Sequence, residues 1–103
     1  MSARVLIVED EPHIVESLRF ILAREGFDVS SRIDAEGAMT ALREAAPDVV
    51  VLDAMLPGQS GFDMLRTLRA TVEFADLPVL MLTPLFRFFS TLTKNEACYV
   101  NNS

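Results

Sequence analysis

Three short apolar runs in this sequence each end on polar side chains that could do chemistry. These are three acidic residues after the first run, one aspartate after the second and one threonine after the third: Glu9, Asp10 and Glu11, then Asp53, then Thr83. The length and β-branched content of the first run predict a strand that is buried on both faces, and the other two runs also predict strands. Ligands of open parallel sheets bind at the carboxyl ends of the strands, so we expect these side chains to share one edge.

Carboxylates crowded at one edge raise each other's pKa and destabilise a fold unless something neutralises them. Mg²⁺ does so naturally, because it prefers a few carboxylates, waters and a phosphate oxygen. Beside such an ion, one carboxylate can act as a nucleophile toward a phosphoryl donor and form an aspartyl phosphate. Thr83 could then donate a hydrogen bond to a phosphoryl oxygen. Acidic residues can also follow a strand simply because the chain reaches solvent there, and that interpretation stays open.

The elements that must position these residues alternate along the chain. The predicted strands are 4–8, 27–33, 48–52 and 77–82, and the predicted helices are 12–25, 34–46 and 62–71. Pro12 suits a first helical turn, Gly26 suits a helix end, and Asp34 can cap the second helix. Strands that alternate with helices predict an α/β fold with a doubly wound parallel sheet.

Composition narrows the function classes. The 103 residues carry a formal net charge of −6, which argues against direct nucleic-acid binding by this chain. The single cysteine, Cys98, excludes an intrachain disulfide framework and a cysteine-built metal site. No apolar run approaches a bilayer span and no signal peptide is apparent, so we expect a cytoplasmic protein that does not bind membranes.

Three segments resemble the receiver domain of bacterial two-component response regulators. They are VLIVEDEP at 5–12, PDVVVLDAMLPGQSG at 47–61 and PVLMLT at 78–83. The resemblance covers residues 1–83 and implies a flavodoxin-like sheet with strand order 2-1-3-4. The loop and helix sequences also resemble the subgroup of response regulators whose output domain is a winged-helix DNA-binding domain, although no such output domain is present here.

The resemblance implies a role for each matching residue. Asp53 would accept a phosphoryl group from a sensor histidine kinase. Mg²⁺ would be held by Asp10 directly, by Glu9 through water, by Asp53, and by the backbone carbonyl of Met55. Thr83 would be the switch hydroxyl that responds to the phosphoryl group. The domain would be a signalling module rather than an enzyme, with any self-phosphorylation or autodephosphorylation assisted by Mg²⁺.

The sequence departs from the family after Thr83. We therefore expect residues 1–83 to form an incomplete receiver domain and 84–103 to form a divergent tail of unknown structure. The abrupt change in sequence suggests a reading-frame shift or a truncated product. A divergent natural variant is the alternative. The usual fifth strand and last helices are expected to be missing. Lys94 and Tyr99 lack the context of the family's lysine and aromatic switch residue, so output is expected to be impaired.

Without a fifth strand, the fourth strand would be an exposed edge, and three outcomes stay open. The phenylalanine-rich tail could fold back over that edge, the edge could pair with another receiver chain, or the protein could be marginally stable and aggregate.

Two alternatives to phosphoacceptance also stay open: a non-catalytic receiver-like interaction module and a non-functional truncated product. A phosphatase with an aspartate nucleophile is disfavoured, because Met55 stands where a second acid would be needed.

Overall fold

The computed structural model describes residues 2–83 and 88–92, with the backbone alone for Thr83 and 88–92. The elements follow one another as β1 (Arg4–Val8), α1 (Pro12–Arg24), β2 (Asp28–Arg32), α2 (Ala35–Glu44), β3 (Val49–Asp53), α3 (Gly61–Ala70), a 3₁₀ turn (Val72–Phe74), β4 (Val79–Thr83) and β5 (Phe88–Leu92). Every predicted strand and helix is present, and no end is displaced by more than two residues.

The sheet has the order β2-β1-β3-β4-β5. β1 pairs in parallel with both β2 and β3, and β3 pairs in parallel with β4. The predicted doubly wound parallel sheet with order 2-1-3-4 is therefore confirmed. Val8 lies opposite Leu52, and Asp53 lies opposite Leu82, so the carboxyl ends of the three central strands meet at one edge.

Local sequence sets where the helices begin and end. The Glu11 carboxylate accepts the N–H of His13 at 3.1 Å, with Pro12 in the first turn of α1 as predicted. Asp34 caps α2 as predicted, accepting the N–H of Gly37 at 2.7 Å. Gly26 follows the end of α1 with φ +92°, a left-handed conformation that glycine adopts without steric cost.

Two apolar layers hold the helices on opposite faces of the sheet. Alternate strand residues point to opposite faces, so Leu6, Val8 and Leu52 pack with the residues of α2 and α3. Val5, Ile7 and Val51 point the other way, toward α1. None of the helices in the described part of the chain is long and apolar enough to cross a membrane.

β5 corrects the expectation that the sheet would end at an exposed β4. Phe88–Leu92 pairs antiparallel with β4, with Thr83 opposite Phe88 and Val79 opposite Leu92. Only residues 84–87 separate the two strands, and so short a connection cannot make the crossover of a dozen or more residues that a parallel strand requires. Of the three outcomes that the sequence left open, the fold-back over β4 is the one observed for residues 88–92.

The segment 88–92 has the composition of a β-strand, because it is aromatic and β-branched in part. It carries neither the charge nor the proline that usually protects an edge strand. The usual parallel fifth strand is not the one observed here. Lys94, Cys98 and Tyr99 lie outside the described residues.

Proline substitutions in β5 test its pairing with β4. Successive N–H groups of a strand point to opposite sides, so only one of Ser90 and Thr91 directs its N–H toward β4. We expect one of Ser90→Pro and Thr91→Pro to lower the free energy of unfolding by about 2–3 kcal/mol. The other should cost less than about 1 kcal/mol, because it faces away from the ladder. Urea denaturation measures both, and two equally mild variants would contradict the pairing.

Candidate functional site

The register of β1 and β3 brings two carboxylates side by side. Val8 lies opposite Leu52, and the next residues along the two strands are Glu9 and Asp53. Both side chains are buried, with 3% and 6% of their surface exposed. Asp10 is exposed, and carboxylate oxygens of all three residues lie within 4.8 Å of one another. The structure thus brings together the three acids that the sequence predicted would meet; we call Glu9, Asp10 and Asp53 the acidic cluster.

Backbone N–H groups fix the two buried carboxylates. Met55 donates its N–H to Asp53 Oδ1 at 3.0 Å, and Glu11 donates its N–H to Glu9 Oε2 at 3.0 Å. The Glu11 side chain is occupied as the cap of α1, so this third acid of the run stands apart from the cluster. Each buried carboxylate is therefore held by a donor two residues further along the chain.

The acidic cluster is electrostatically strained. Burial raises the pKa of Glu9 from 4.5 to about 7; the neighbouring Asp53 and Asp10 act in the same direction, and the Glu11 N–H opposes them. Arg66 pairs with Asp63 on α3, and no cation of the described residues contributes to the pKa of Glu9. Buried carboxylates without a protein cation need a proton or a bound cation.

The donor set fits a hard divalent cation. Three carboxylates offer oxygen ligands within a few ångströms, and the exposed Asp10 leaves the cluster accessible to solvent on its side. Mg²⁺ binds through few carboxylates and keeps several waters, which matches an incomplete protein shell of this kind. The cluster can therefore take up Mg²⁺ and, through its waters, a phosphate oxygen.

Met55 and Thr83 are the two remaining predicted site residues. Met55 lies two residues after Asp53, and Thr83 follows the strand partner of Asp53. Met55 is in the loop after β3, 68% exposed, and its backbone N–H binds Asp53 Oδ1. Thr83 is the last residue of β4 and follows Leu82, the strand partner of Asp53. The hydroxyl of Thr83 lies outside the described part of the structure.

Gly61 holds the loop after Asp53 closed, a role that the sequence interpretation missed. Its N–H donates to the carbonyl of Ala54 at 2.9 Å. A Cβ at this position would lie 2.0 Å from the carbonyl oxygen of Asp53, which no real contact allows. The loop glycines marked a turn in the sequence, but only the three-dimensional structure shows that the Asp53 carbonyl lies where a side chain at Gly61 would be.

Comparison with known proteins finds one matching family, described as the response regulator receiver domain, over residues 5–88. The DNA-binding response regulator MtrA of Mycolicibacterium smegmatis is 46% identical over 83 residues, covering 81% of this chain and 35% of that protein. The probable transcriptional regulatory protein TcrX of Mycobacterium tuberculosis is 47% identical over 79 residues, covering 77% of this chain and 33% of that protein. The chain thus spans about a third of the length of these curated relatives.

A solved structure gives the same result for the fold. The crystal structure of a putative response regulator from Chloroflexus aurantiacus superimposes with a TM-score of 0.77 at 28% identity. The match covers 79% of this chain and 66% of that chain. Similarity in sequence and in structure therefore coincides over the part of the chain that carries the acidic cluster.

Gly61→Ala tests the close approach. Alanine favours helices more than glycine does, so helix propensity alone predicts a more stable first turn of α3. The overlap with the Asp53 carbonyl predicts the opposite: a loss of about 2 kcal/mol or more in the free energy of unfolding and about tenfold weaker Mg²⁺ binding. The control is Gly26→Ala, where a Cβ meets nothing within 4 Å. It should lose stability through its positive φ but keep Mg²⁺ affinity, and an unchanged affinity in Gly61→Ala would refute the role given to Gly61.

Glu9→Gln tests the burial of an acid at this edge. Because the pKa of Glu9 is raised on folding, the folded state binds its proton more tightly than the unfolded state does. In the absence of divalent cations this contribution to stability is present below pH 4.5 and lost as the pH rises through about 7. Glu9→Gln should therefore be more stable than the unsubstituted protein at pH 8, by up to about 3 kcal/mol.

The advantage of Glu9→Gln should shrink to nothing well below pH 4.5, where the glutamate is protonated in both the folded and the unfolded state. Glu36→Gln, at an exposed position on α2, is the matched control and should show no such trend. Thermal melts in chelator across this pH range measure the difference. A difference that does not change with pH would contradict the raised pKa.

Proposed function

This chain belongs to the response regulator receiver family, and we propose that it accepts a phosphoryl group on Asp53 from a sensor histidine kinase in a two-component phosphorelay. The observation that carries the proposal is the acidic cluster, in which Asp53 ends β3 beside Glu9 and Asp10. Receiver domains are signalling domains rather than enzymes.

The residues that would hold Mg²⁺ are the carboxylates of Asp10, Glu9 and Asp53, together with the backbone carbonyl of Met55. Asp10 would contact the ion directly and Glu9 through water, in agreement with the exposure of Asp10 and the burial of Glu9. When bound, the ion would supply positive charge that offsets the carboxylates and the phosphoryl oxygens.

Asp53 would act as the nucleophile. One of its carboxylate oxygens is engaged by the N–H of Met55, which fixes the orientation of the group. The other oxygen would form a bond to phosphorus while the phosphorus–nitrogen bond of the donor phosphohistidine breaks, and the bonding electrons leave with the imidazole nitrogen. The buried position of Asp53 would limit the access of water to the product.

Acceptance of the phosphoryl group and transmission of the signal would depend on different parts of this chain. We assign acceptance to residues 1–83, with Thr83 as the switch hydroxyl, and we treat 84–103 as a divergent tail. Lys94 is the only lysine in the sequence, and it lies beyond the described residues. Since no lysine of the described part can assist the phosphoryl group, we propose that the coupling of phosphorylation to output is impaired and that any autodephosphorylation depends on Mg²⁺.

The names of the relatives indicate what the whole proteins do. MtrA is described as DNA-binding and TcrX as a transcriptional regulatory protein. We propose that the present chain corresponds to the receiver part of such a cytoplasmic transcription regulator. With a net charge of −6 it would make no direct contact with nucleic acid itself.

The absence of a lysine from the described residues also favours a second candidate, a receiver-like module that binds a kinase without taking its phosphoryl group. The two candidates differ in one measurable property. Phosphoacceptance requires a covalent adduct on Asp53, whereas the binding module forms none.

Intact-mass spectrometry tests the proposal directly. Incubation with Mg²⁺ and acetyl phosphate should add the mass of one phosphoryl group to the protein. Asp53→Asn should abolish the adduct, because an amide is no nucleophile toward phosphorus. Asp28→Asn, on the exposed edge of β2, is the matched control and should be phosphorylated like the unsubstituted chain.

Chelation of Mg²⁺ should suppress the adduct in every variant that forms it. An adduct that persists in Asp53→Asn would place the acceptor elsewhere. No adduct under any condition, in a chain that still binds Mg²⁺, would favour the binding module.

A further inference from the structure

In the described sheet β2 forms one edge and β5 the other. On its inner side β2 pairs with β1, where the carbonyl of Arg32 accepts the N–H of Glu9 at 3.0 Å. The N–H and C=O groups of successive strand residues point to opposite sides, so Val29 and Ser31 direct theirs away from the sheet. These outward groups are the ones with which a further strand would pair.

Both outward carbonyls of β2 accept hydrogen bonds from arginine. Arg19 of α1 donates from Nη1 to the carbonyl of Val29 at 3.0 Å and from Nη2 to the hydroxyl of Ser31 at 2.9 Å. Arg32 donates from Nη1 to the carbonyl of Ser31 at 2.6 Å. A bond from a charged donor is roughly twice as strong as one between neutral groups. An added strand would have to displace these bonds before it could pair with β2.

The two arginines reach this edge from opposite faces of the sheet. Arg19 lies on α1, which packs against the face that carries the Val29 side chain. Arg32 lies on the other face, where its Cδ is 3.6 Å from the position of a Cβ at Gly37 of α2. A strand that approached β2 would therefore meet a guanidinium on either face. The segment 88–92 at the other edge of the sheet carries no charged residue.

We propose that Arg19 closes the β2 edge and so prevents β2 from pairing with the β2 strand of a second copy of this chain. Two such strands can pair antiparallel about a two-fold axis, because each presents the same outward groups to the other. Backbone hydrogen bonds at a strand edge require little complementarity between side chains, so a second copy can serve as the added strand. Arg19 contributes more than Arg32, because Arg19 is half-buried and makes two bonds, whereas Arg32 is exposed and makes one.

Arg19→Met tests this role, because methionine keeps an unbranched apolar stem but has no hydrogen-bond donor in its side chain. The variant should dimerise at protein concentrations at least about tenfold lower than the unsubstituted chain does, as measured by sedimentation equilibrium between roughly 10 µM and 1 mM. Arg24→Met is the matched control, since it removes the same charge from the same helix. The Arg24 guanidinium lies 5.6 Å from the centre of the Phe20 ring, so this variant should associate like the unsubstituted chain.

Ser31→Pro identifies the strand through which Arg19→Met associates. The N–H of Ser31 points away from β1, so proline at this position removes no bond of the sheet but blocks an added strand. Combining Ser31→Pro with Arg19→Met should return association to within about threefold of the unsubstituted chain. Aggregation that came only from a loss of stability would persist in the double variant.

Amide hydrogen exchange followed by nuclear magnetic resonance gives a residue-level measurement. In associated Arg19→Met, the N–H groups of Val29 and Ser31 should exchange at least about tenfold more slowly than in the dilute monomer, because they bond to the second chain. Circular dichroism melts establish that each variant is folded.

Three outcomes would overturn the proposal. They are an Arg19→Met variant that associates no more than Arg24→Met, a double variant that still associates, and exchange at Val29 and Ser31 that does not slow on association. None of these measurements depends on the phosphate adduct at Asp53, which stays a separate question.

Discussion

Two carboxylates buried side by side, those of Glu9 and Asp53, are the constraint on which the rest of this structure depends. Their strands are hydrogen-bonded neighbours, so neither can move away without breaking the centre of the sheet. Burial raises the pKa of Glu9 to about 7, and the negative charge of Asp53 contributes to that shift. The fold accepts this cost at one edge, where a bound cation would offset it.

Other features of the chain hold these two buried carboxylates in place. The N–H groups of Glu11 and Met55 each bind one of the buried carboxylates. Gly61 lets the loop after β3 return against the carbonyl of Asp53, where the Cβ of any larger residue would clash. The apolar layers on both faces of the sheet keep β1 and β3 in register and so keep the two acids adjacent. The apolar layers therefore stabilise the fold, whereas the buried carboxylates of the site destabilise it.

The sequence predicted the parallel strands and the acidic edge because both follow from local patterns. Runs such as 49–52 are apolar at every position, and the polar residue that ends each run marks the sheet edge. β5 was not predictable in the same way, because its pairing depends on an edge that β4 leaves open and on a connection too short for a parallel crossover. The capping of α1 by Glu11 and the exposure of Phe20 depend on which atoms surround each side chain in the folded protein. The spacing of residues in the sequence does not determine that.

The acidic cluster should exchange a proton for Mg²⁺ when the ion binds. Isothermal titration calorimetry of Mg²⁺ binding near pH 6, repeated in buffers of different ionisation enthalpy, measures that exchange directly. Since Glu9 is largely protonated at this pH in the absence of metal, binding should release close to one proton per ion, falling toward zero above about pH 8. Mg²⁺ binding that releases no proton at pH 6 would contradict the account.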